Sequence, residues 1–421
     1  MSLATRTGSM VMLAGALALA TACEAIDEAD DGAGDDGGGG DSGGGDSGGG
    51  DDGSDGGGAV PGACTSGVLF AGSPTYLGTD PPDPLGTGLL AEPPVRFRHL
   101  LFDGNRLYTH TGEELWGVDM TAASPQAVRF AGQRQDTGTS FNDGACAAAR
   151  LSNTHGMARL PDGRLVVADY GANALVAVTD PTGAACAVSY HAGTAEPIES
   201  VPPDAFPDEG DTDGPGAAAR FRGPSWPVAD AQGNVYFVDS GNRKVKVVAP
   251  DAAHTVSTVA DLSGLEQDTW PGMTAMGGKL YLVGLASSAN IVREIDPATG
   301  AMRTVREGAS EAFPPVEDGR SPALSSITTN GTDLYVSGGG YIWKLSPDGT
   351  LTYAAGTGFE IDFPPPGYDP AAEHPAEELV LRYSQGGTLF EGAQSFMTYA
   401  DGAVYWTGRD DDVLVEKISC E

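Results

Sequence analysis

Two short strand patterns recur six times along this chain at a nearly constant offset. The first is a Leu/Val-Tyr/Val pair, at Leu107-Tyr108, Leu165-Val166, Val235-Tyr236, Leu280-Tyr281, Leu334-Tyr335 and Val404-Tyr405. About eight to eleven residues further on an alternating apolar run begins, at Leu115, Leu175, Val245, Ile291, Ile342 and Leu414. β-Branched and aromatic residues in period-two runs, separated by Gly, Asn and Asp, read as antiparallel hairpins. One hairpin used six times is a repeat architecture, in which each unit buries its face against the next. With Gly at 62 positions, Pro at 29 and few long helical patterns, an all-β chain follows.

The fullest copy runs from Ala217 to Pro250. It reads as a strand at Trp226 to Ala229, a turn at Asp230 to Asn234, a strand at Val235 to Asp239, a tight Ser240-Gly241-Asn242 turn and a strand at Val245 to Ala249, with a fourth strand at Val256 to Ala260. Ala219-Arg220-Phe221, Pro224, Val228-Ala229, Gly233-Asn234-Val235-Tyr236 and Asp239-Ser240-Gly241-Asn242 resemble the NHL repeat. Trp226 and Pro227 depart from it, standing where that pattern has Gly and Val. The resemblance covers about residues 60–421. It implies a six-bladed β-propeller of four-stranded antiparallel blades, a fold that serves mostly as a binding platform.

Further outer strands begin at Val128, Val188, Met302 and Leu351, and inner strands are expected near Arg98, Gly156, Trp226, Pro271, Ser325 and Ser395. The sixth unit runs out of chain at Glu421. Val68-Leu69-Phe70-Ala71-Gly72 resembles the outer-strand ends and is the expected closing strand of the ring, which would remove free sheet edges. Cys64 precedes it and Cys420 ends the strand it would join, so a Cys64–Cys420 bridge is expected, leaving Cys146 and Cys186 to pair by elimination.

The first residues read as targeting sequence. Arg6 supplies a positive region, Met10 to Ala20 a short apolar one, and Leu19-Ala20-Thr21-Ala22-Cys23 resembles a bacterial lipobox with Ala20 in place of the usual Leu. The expected divisions are a lipoprotein signal peptide (1–22), lipidated Cys23 with a Gly/Asp/Ser tether (23–59), and the propeller (60–421). Residues 24–58 hold 12 acids and no base, a composition that cannot offset its ordering entropy. The expected location is the bacterial cell envelope, with the membrane reached only through the lipid. The net charge of −35 excludes nucleic acid and anionic lipid surfaces as partners.

Function is less legible. Outside the Gly/Asp/Ser tether no Gly-x-Ser-x-Gly elbow occurs, and no Walker loop or Cys-x-x-Cys pair occurs anywhere. Of six histidines, only His99 and His155 fall near inner-strand starts, two where a three-His zinc site needs three. His191, in an outer strand, reads as packed. Trp226 and Trp270 are expected near the same mouth, as packing or as an aromatic platform. Asp208, Asp211 and Asp213 form a carboxylate cluster that a hard cation would suit, though the run lacks the closing Glu of an EF-hand. Asp169 and Asp239 read as turn-holding residues. The long acidic connections at 193–220 and 356–392 are expected to rim the mouth. These features predict a monomeric, non-enzymatic, surface-tethered module without a cofactor, presenting this face to a protein, peptide or glycan. The alternative is a lyase or lactonase dependent on calcium or zinc, working in the central channel.

Overall fold

All six hairpins form where their strand patterns place them, and each gains an inner and an outer strand. A computed structural model describes residues 64–71, 98–122, 127–133, 141–193, 209–265, 269–285, 289–308, 312–313, 323–357, 372–379, 381, 396–407 and 415–420. The leader, Cys23, the tether, Asp208 and Ser395 lie outside them. Among the described residues no helix is long and apolar enough to cross a membrane.

Blade 1 comprises Leu101–Phe102, Arg106–His110, Glu114–Asp119 and Ala127–Gly132. Blade 2 comprises Thr154–Arg159, Leu165–Asp169, Ala174–Thr179 and Ala187–Ala192, and blade 3 Pro224–Ala229, Val235–Asp239, Lys244–Val248 and Val256–Asp261. Blade 4 runs through Thr269–Met276, Lys279–Leu285, Asn290–Ile295 and Met302–Gly308, and blade 5 through Leu324–Thr329, Leu334–Gly338, Tyr341–Leu345 and Leu351–Ala355. Blade 6 takes Phe396–Ala400, Ala403–Thr407 and Val415–Cys420 from the end of the chain and Cys64–Ala71 from its beginning. The molecule is therefore an all-β, six-bladed β-propeller.

Several hairpin turns share one device. A carboxylate or amide at the first turn position accepts backbone N–H bonds from residues two to four further on, an Asx turn. Asp103 holds the N–H groups of Asn105 and Arg106, Asp230 those of Gln232 and Asn234, and Asn330 those of Thr332 and Asp333. Gly233 completes its turn at φ 88°, a conformation that a side chain would strain.

Six apolar clusters fill the layers between successive blades, blade 6 against blade 1 included. Phe221 and Phe237 pack edge to face between blades 2 and 3, and Phe313 and Trp343 between blades 4 and 5. Each fully buried side chain of this size contributes about 1.5–3 kcal/mol. The closing strand pairs antiparallel with the last one, Ser66 opposite Ser419, Val68 opposite Lys417 and Leu69 opposite Glu416. Cys64 faces Cys420 across this seam and is bonded to it; Cys146 is bonded to Cys186.

Of the two long acidic connections, residues 194–208, 358–371 and 382–392 lie outside the described residues. The described parts of the connections before blades 2, 3 and 6 fold back along the outer edge of the blade they precede. Gly144–Ala145 pairs with Ala187 and Val188 of blade 2, Gly214 bridges Val256 of blade 3, and His374–Pro375 pairs with Ser66 and Gly67 of blade 6. The exposed backbone groups of an outer strand need partners, and these segments supply them.

Asp169 and Asp239 hold the corner between a second strand and the segment before the inner strand. Asp169 accepts the N–H groups of Ser152, Asn153 and Ala172. Asp239 accepts that of Arg222 and the Asn242 amide. The acidic run before blade 3 is already neutralised by protein. The Lys246 ammonium, on a fully buried side chain, lies 2.8 Å from Asp211, 2.9 Å from Asp213 and 3.6 Å from Asp239, and Lys244 bonds Asp211 as well. Asp213 also accepts the Thr258 N–H. These carboxylates clasp the segment to blade 3 around an ammonium, so Asp211 and Asp213, from the cluster that would suit a hard cation, are paired with lysine.

Candidate functional site

The inner strands of all six blades line a central cavity of about 250 Å³. An inner strand is a sheet edge, so half of its backbone N–H and C=O groups face this space without a ladder partner. Side-chain exposure grows toward the hairpin end: Trp226 and Pro227 are buried, Val228 and Ala229 half-buried, and Arg159 exposed. Arg159, Thr274, Thr328 and Thr398 contribute polar groups to the lining, and no carboxylate lines it among the described residues.

The opposite end is occupied by rings. His99, Trp226 and Phe396 all line the cavity, with ring centroids 6.5 Å apart for His99 and Trp226 and 5.9 Å for Trp226 and Phe396. The strand register explains how they meet. The last paired inner residues before the hairpins are Phe102, Arg159 and Ala229 in blades 1 to 3, and three positions earlier stand His99, Gly156 and Trp226. In blades 2 and 3 this position falls in a β-bulge, and all three residues have positive φ: 108°, 101° and 53°. Glycine adopts that backbone cheaply, whereas for a bulky residue it is strained by about 1–3 kcal/mol. Gly156 has a second reason to lack a side chain. A Cβ there would lie 3.2 Å from Pro227 Cδ and 3.5 Å from His99 Cδ2.

His155 stacks on Tyr170 with centroids 4.3 Å apart and lies 6.4 Å from Trp226. His110 packs parallel to His99 at 6.1 Å. Its two nitrogens are engaged. Nε2 accepts the Gly156 N–H at 3.2 Å, and Nδ1 lies 2.8 Å from the Thr154 hydroxyl, which donates to the Gly112 carbonyl. The His99 Nδ1 is buried with no hydrogen-bond partner. Burial pushes His99 and His155 down to about 4, the Arg98 charge adding to the effect on His155. Burial, the two neighbouring imidazoles and Arg98 hold His110 well below its ordinary value. All three rings are neutral at pH 7.

Of the four expected mouth residues the structure brings together His99, His155 and Trp226. Trp270 is not among the cavity-lining residues; it packs with Met273, Leu280 and Leu282 in the apolar cluster between blades 3 and 4 that also holds Trp226 and Phe396. His110 and Phe396 complete the cluster and were not singled out in the sequence. Among the described residues no group of three or more His, Cys, Asp or Glu side chains could hold a metal ion. His110 is committed to Thr154 and Gly156, so among the described residues His99 and His155 lack a third imidazole.

No family model matches the chain, and no curated protein matches it in sequence. Solved structures do resemble it. An auxiliary nutrient-binding protein from Bacteroides thetaiotaomicron aligns at a TM-score of 0.52 with 13% identity, over 85% of this chain and 77% of that one. A streptogramin B lyase aligns at 0.43 with 12% identity, over 85% and 98%. A gluconolactonase from Xanthomonas campestris aligns at 0.44 with 14% identity, over 86% and 99%. At such identities the likeness is one of fold: the chain belongs with the propellers, among which both binding proteins and enzymes occur.

Proposed function

We propose that the protein is an exported binding module, an NHL-type propeller tethered to the cell envelope through a lipid on Cys23, that takes a small uncharged polar ligand into its central channel. A glycan end is the ligand class that fits best. The observation that carries this reading is the placement of His99 and Trp226 at equivalent positions with positive φ, where Gly156 stands in the blade between them. Backbone strain of this kind persists where a site needs a particular side chain, and here it aims an indole and an imidazole at one end of a cavity. Aromatic faces take the apolar face of a sugar ring, while the unpaired backbone groups of the inner strands supply both donors and acceptors. A volume of about 250 Å³ lies just under the range of roughly 300–1,000 Å³ for small-molecule sites, which suits one or two rings and not a folded partner.

Titration of the parent protein with a panel of neutral mono- and disaccharides, followed by calorimetry and tryptophan fluorescence, tests this. Binding of at least one sugar that is lost in Trp226→Ala supports it. No binding across the panel, or binding untouched by the substitution, contradicts it.

One observation favours a lyase or lactonase instead: the unpartnered Nδ1 of His99 lies at the channel end, its ring 6.1 Å from that of His110. Lactone hydrolysis by the parent protein, dependent on added zinc or calcium and abolished in His99→Ala, would establish that reading over binding alone.

A further inference from the structure

A second pair of histidines lies far from the channel, at the outer edge between blades 2 and 3. His191 is the penultimate residue of the outer strand of blade 2, and His254 sits in the turn before the outer strand of blade 3. Their ring centroids are 4.2 Å apart with the planes at 68°. His191 is only 7% exposed and His254 half-buried. The Nδ1 of each ring is buried and has no hydrogen-bond partner. Two neutral imidazoles this close could satisfy both nitrogens by one N–H···N bond, and no such bond is present.

The backbone around the pair is committed to this placement. His254 stands at φ 49°, held by the bond from its N–H to the Asp251 carbonyl at 3.0 Å. Gly216 threads between the two backbones, where a Cβ would lie 2.9 Å from the His254 carbonyl oxygen and 3.2 Å from that of His191. The charged groups facing the pair are Asp162 and Arg164 on the His191 side and Asp251 on the His254 side. Arg164 is paired with Asp162 at 2.8 Å.

We propose that His191 and His254 form a two-imidazole site for a late first-row divalent cation, zinc or copper(II), that ties blade 2 to blade 3. Each Nδ1 would donate its lone pair to the ion and each Nε2 would keep its proton, so both orphaned nitrogens gain a partner at once. Imidazole suits zinc and copper(II), whereas calcium and magnesium prefer oxygen donors. With Zn–N bonds of about 2.0–2.1 Å, two rings on a tetrahedral ion have centroids about 5 Å apart. The pair therefore opens by about 1 Å on binding, a movement available to the half-buried turn that carries His254. Water completes the coordination, and Asp162 and Asp251 add favourable charge from outside it. Burial and the facing imidazole hold His191 down to about 3, which leaves its nitrogen unprotonated and available at neutral pH.

The test uses the metal-free full chain. Zinc titrated at about pH 7.5 is expected to bind at one ion per chain and raise Tm, with both effects weakened at acid pH, where protons compete with the ion for imidazole nitrogens. His191→Asn and His254→Asn should each weaken zinc binding by at least about tenfold. Electron paramagnetic resonance of the copper(II) form should show two coupled nitrogens in the parent and one in each variant. Absence of zinc binding at millimolar zinc overturns the proposal. So does zinc binding of equal affinity in both variants, which would place the ion on carboxylates elsewhere. Should either variant fail to fold, the copper spectrum of the parent decides alone, and a spectrum without nitrogen coupling refutes the site.

Discussion

Replacing both Cys64 and Cys420 with Ser tests whether the ring is held shut at its seam. The bridge spans a sequence separation of 356 residues. Loop-closure entropy over that length amounts to about 6 kcal/mol in the chain-entropy model, above the range of roughly 2–5 kcal/mol usually measured. The native pairing of Cys64–Ala71 with Val415–Cys420 survives in the variant, so an expected loss of about 4–6 kcal/mol falls on the unfolded state. Unfolding entropy of ~2.1 cal/mol/K per residue over about 360 residues converts this into a Tm lower by about 5–8 °C. Differential scanning calorimetry of the oxidised parent and the double variant, both without reductant so that Cys146–Cys186 stays intact, measures it. A variant melting within about 1 °C of the oxidised parent would refute the reasoning, because the seam would then be carried by strand pairing alone.

Further expectations follow from the buried groups. Lys246→Met removes the cation between Asp211, Asp213 and Asp239, leaving the fully buried Asp239 uncompensated, and should cost about 3–5 kcal/mol by urea unfolding; a loss below about 1 kcal/mol would show the clasp to be idle. His99 and His155 titrate near 4 in the fold and near 6.5 when unfolded. Their folded values are lowered, so the stability they confer is present above about pH 6.5 and is lost as pH falls toward 4. Tm should drop across that window, and an equal slope in a His99→Asn/His155→Asn variant would contradict the assignment. Trp226→Gly loses buried indole but relieves the positive φ, so it should cost about 1–3 kcal/mol, less than the about 3–5 kcal/mol expected for Trp343→Ala. Equal losses by denaturant unfolding would remove the strain argument.

The fold was legible because each blade repeats its own signals. Strand alternation and Asx-turn residues act locally, so Val235–Asp239 forms over the span its pattern marks. The closing strand was legible from its likeness to other outer-strand ends, and the Cys64–Cys420 bridge from that placement. The path of the long connections was not. Their acidic, Pro-rich composition reads as solvated loop, whereas in blades 2, 3 and 6 the unpaired outer edge draws their described parts back onto it. His110 was missed because it holds a second-strand position that Ala168 and Val238 occupy in the next two blades, where alternation marks core. Trp226 did carry a signal, since it stands where the repeat pattern has Gly. Trp270 follows the packing alternative: its large indole fills the layer between blades 3 and 4 and does not line the channel.

The central claim is that the channel, entered from the hairpin end, holds the ligand. Thr274→Trp places an indole in the lining on that side of the ring cluster. Calorimetric titration of this variant with the saccharide bound by the parent is the most direct measurement. Loss of binding with Tm preserved within a few degrees is the result expected. Undiminished affinity in a folded variant would place the ligand elsewhere on the propeller.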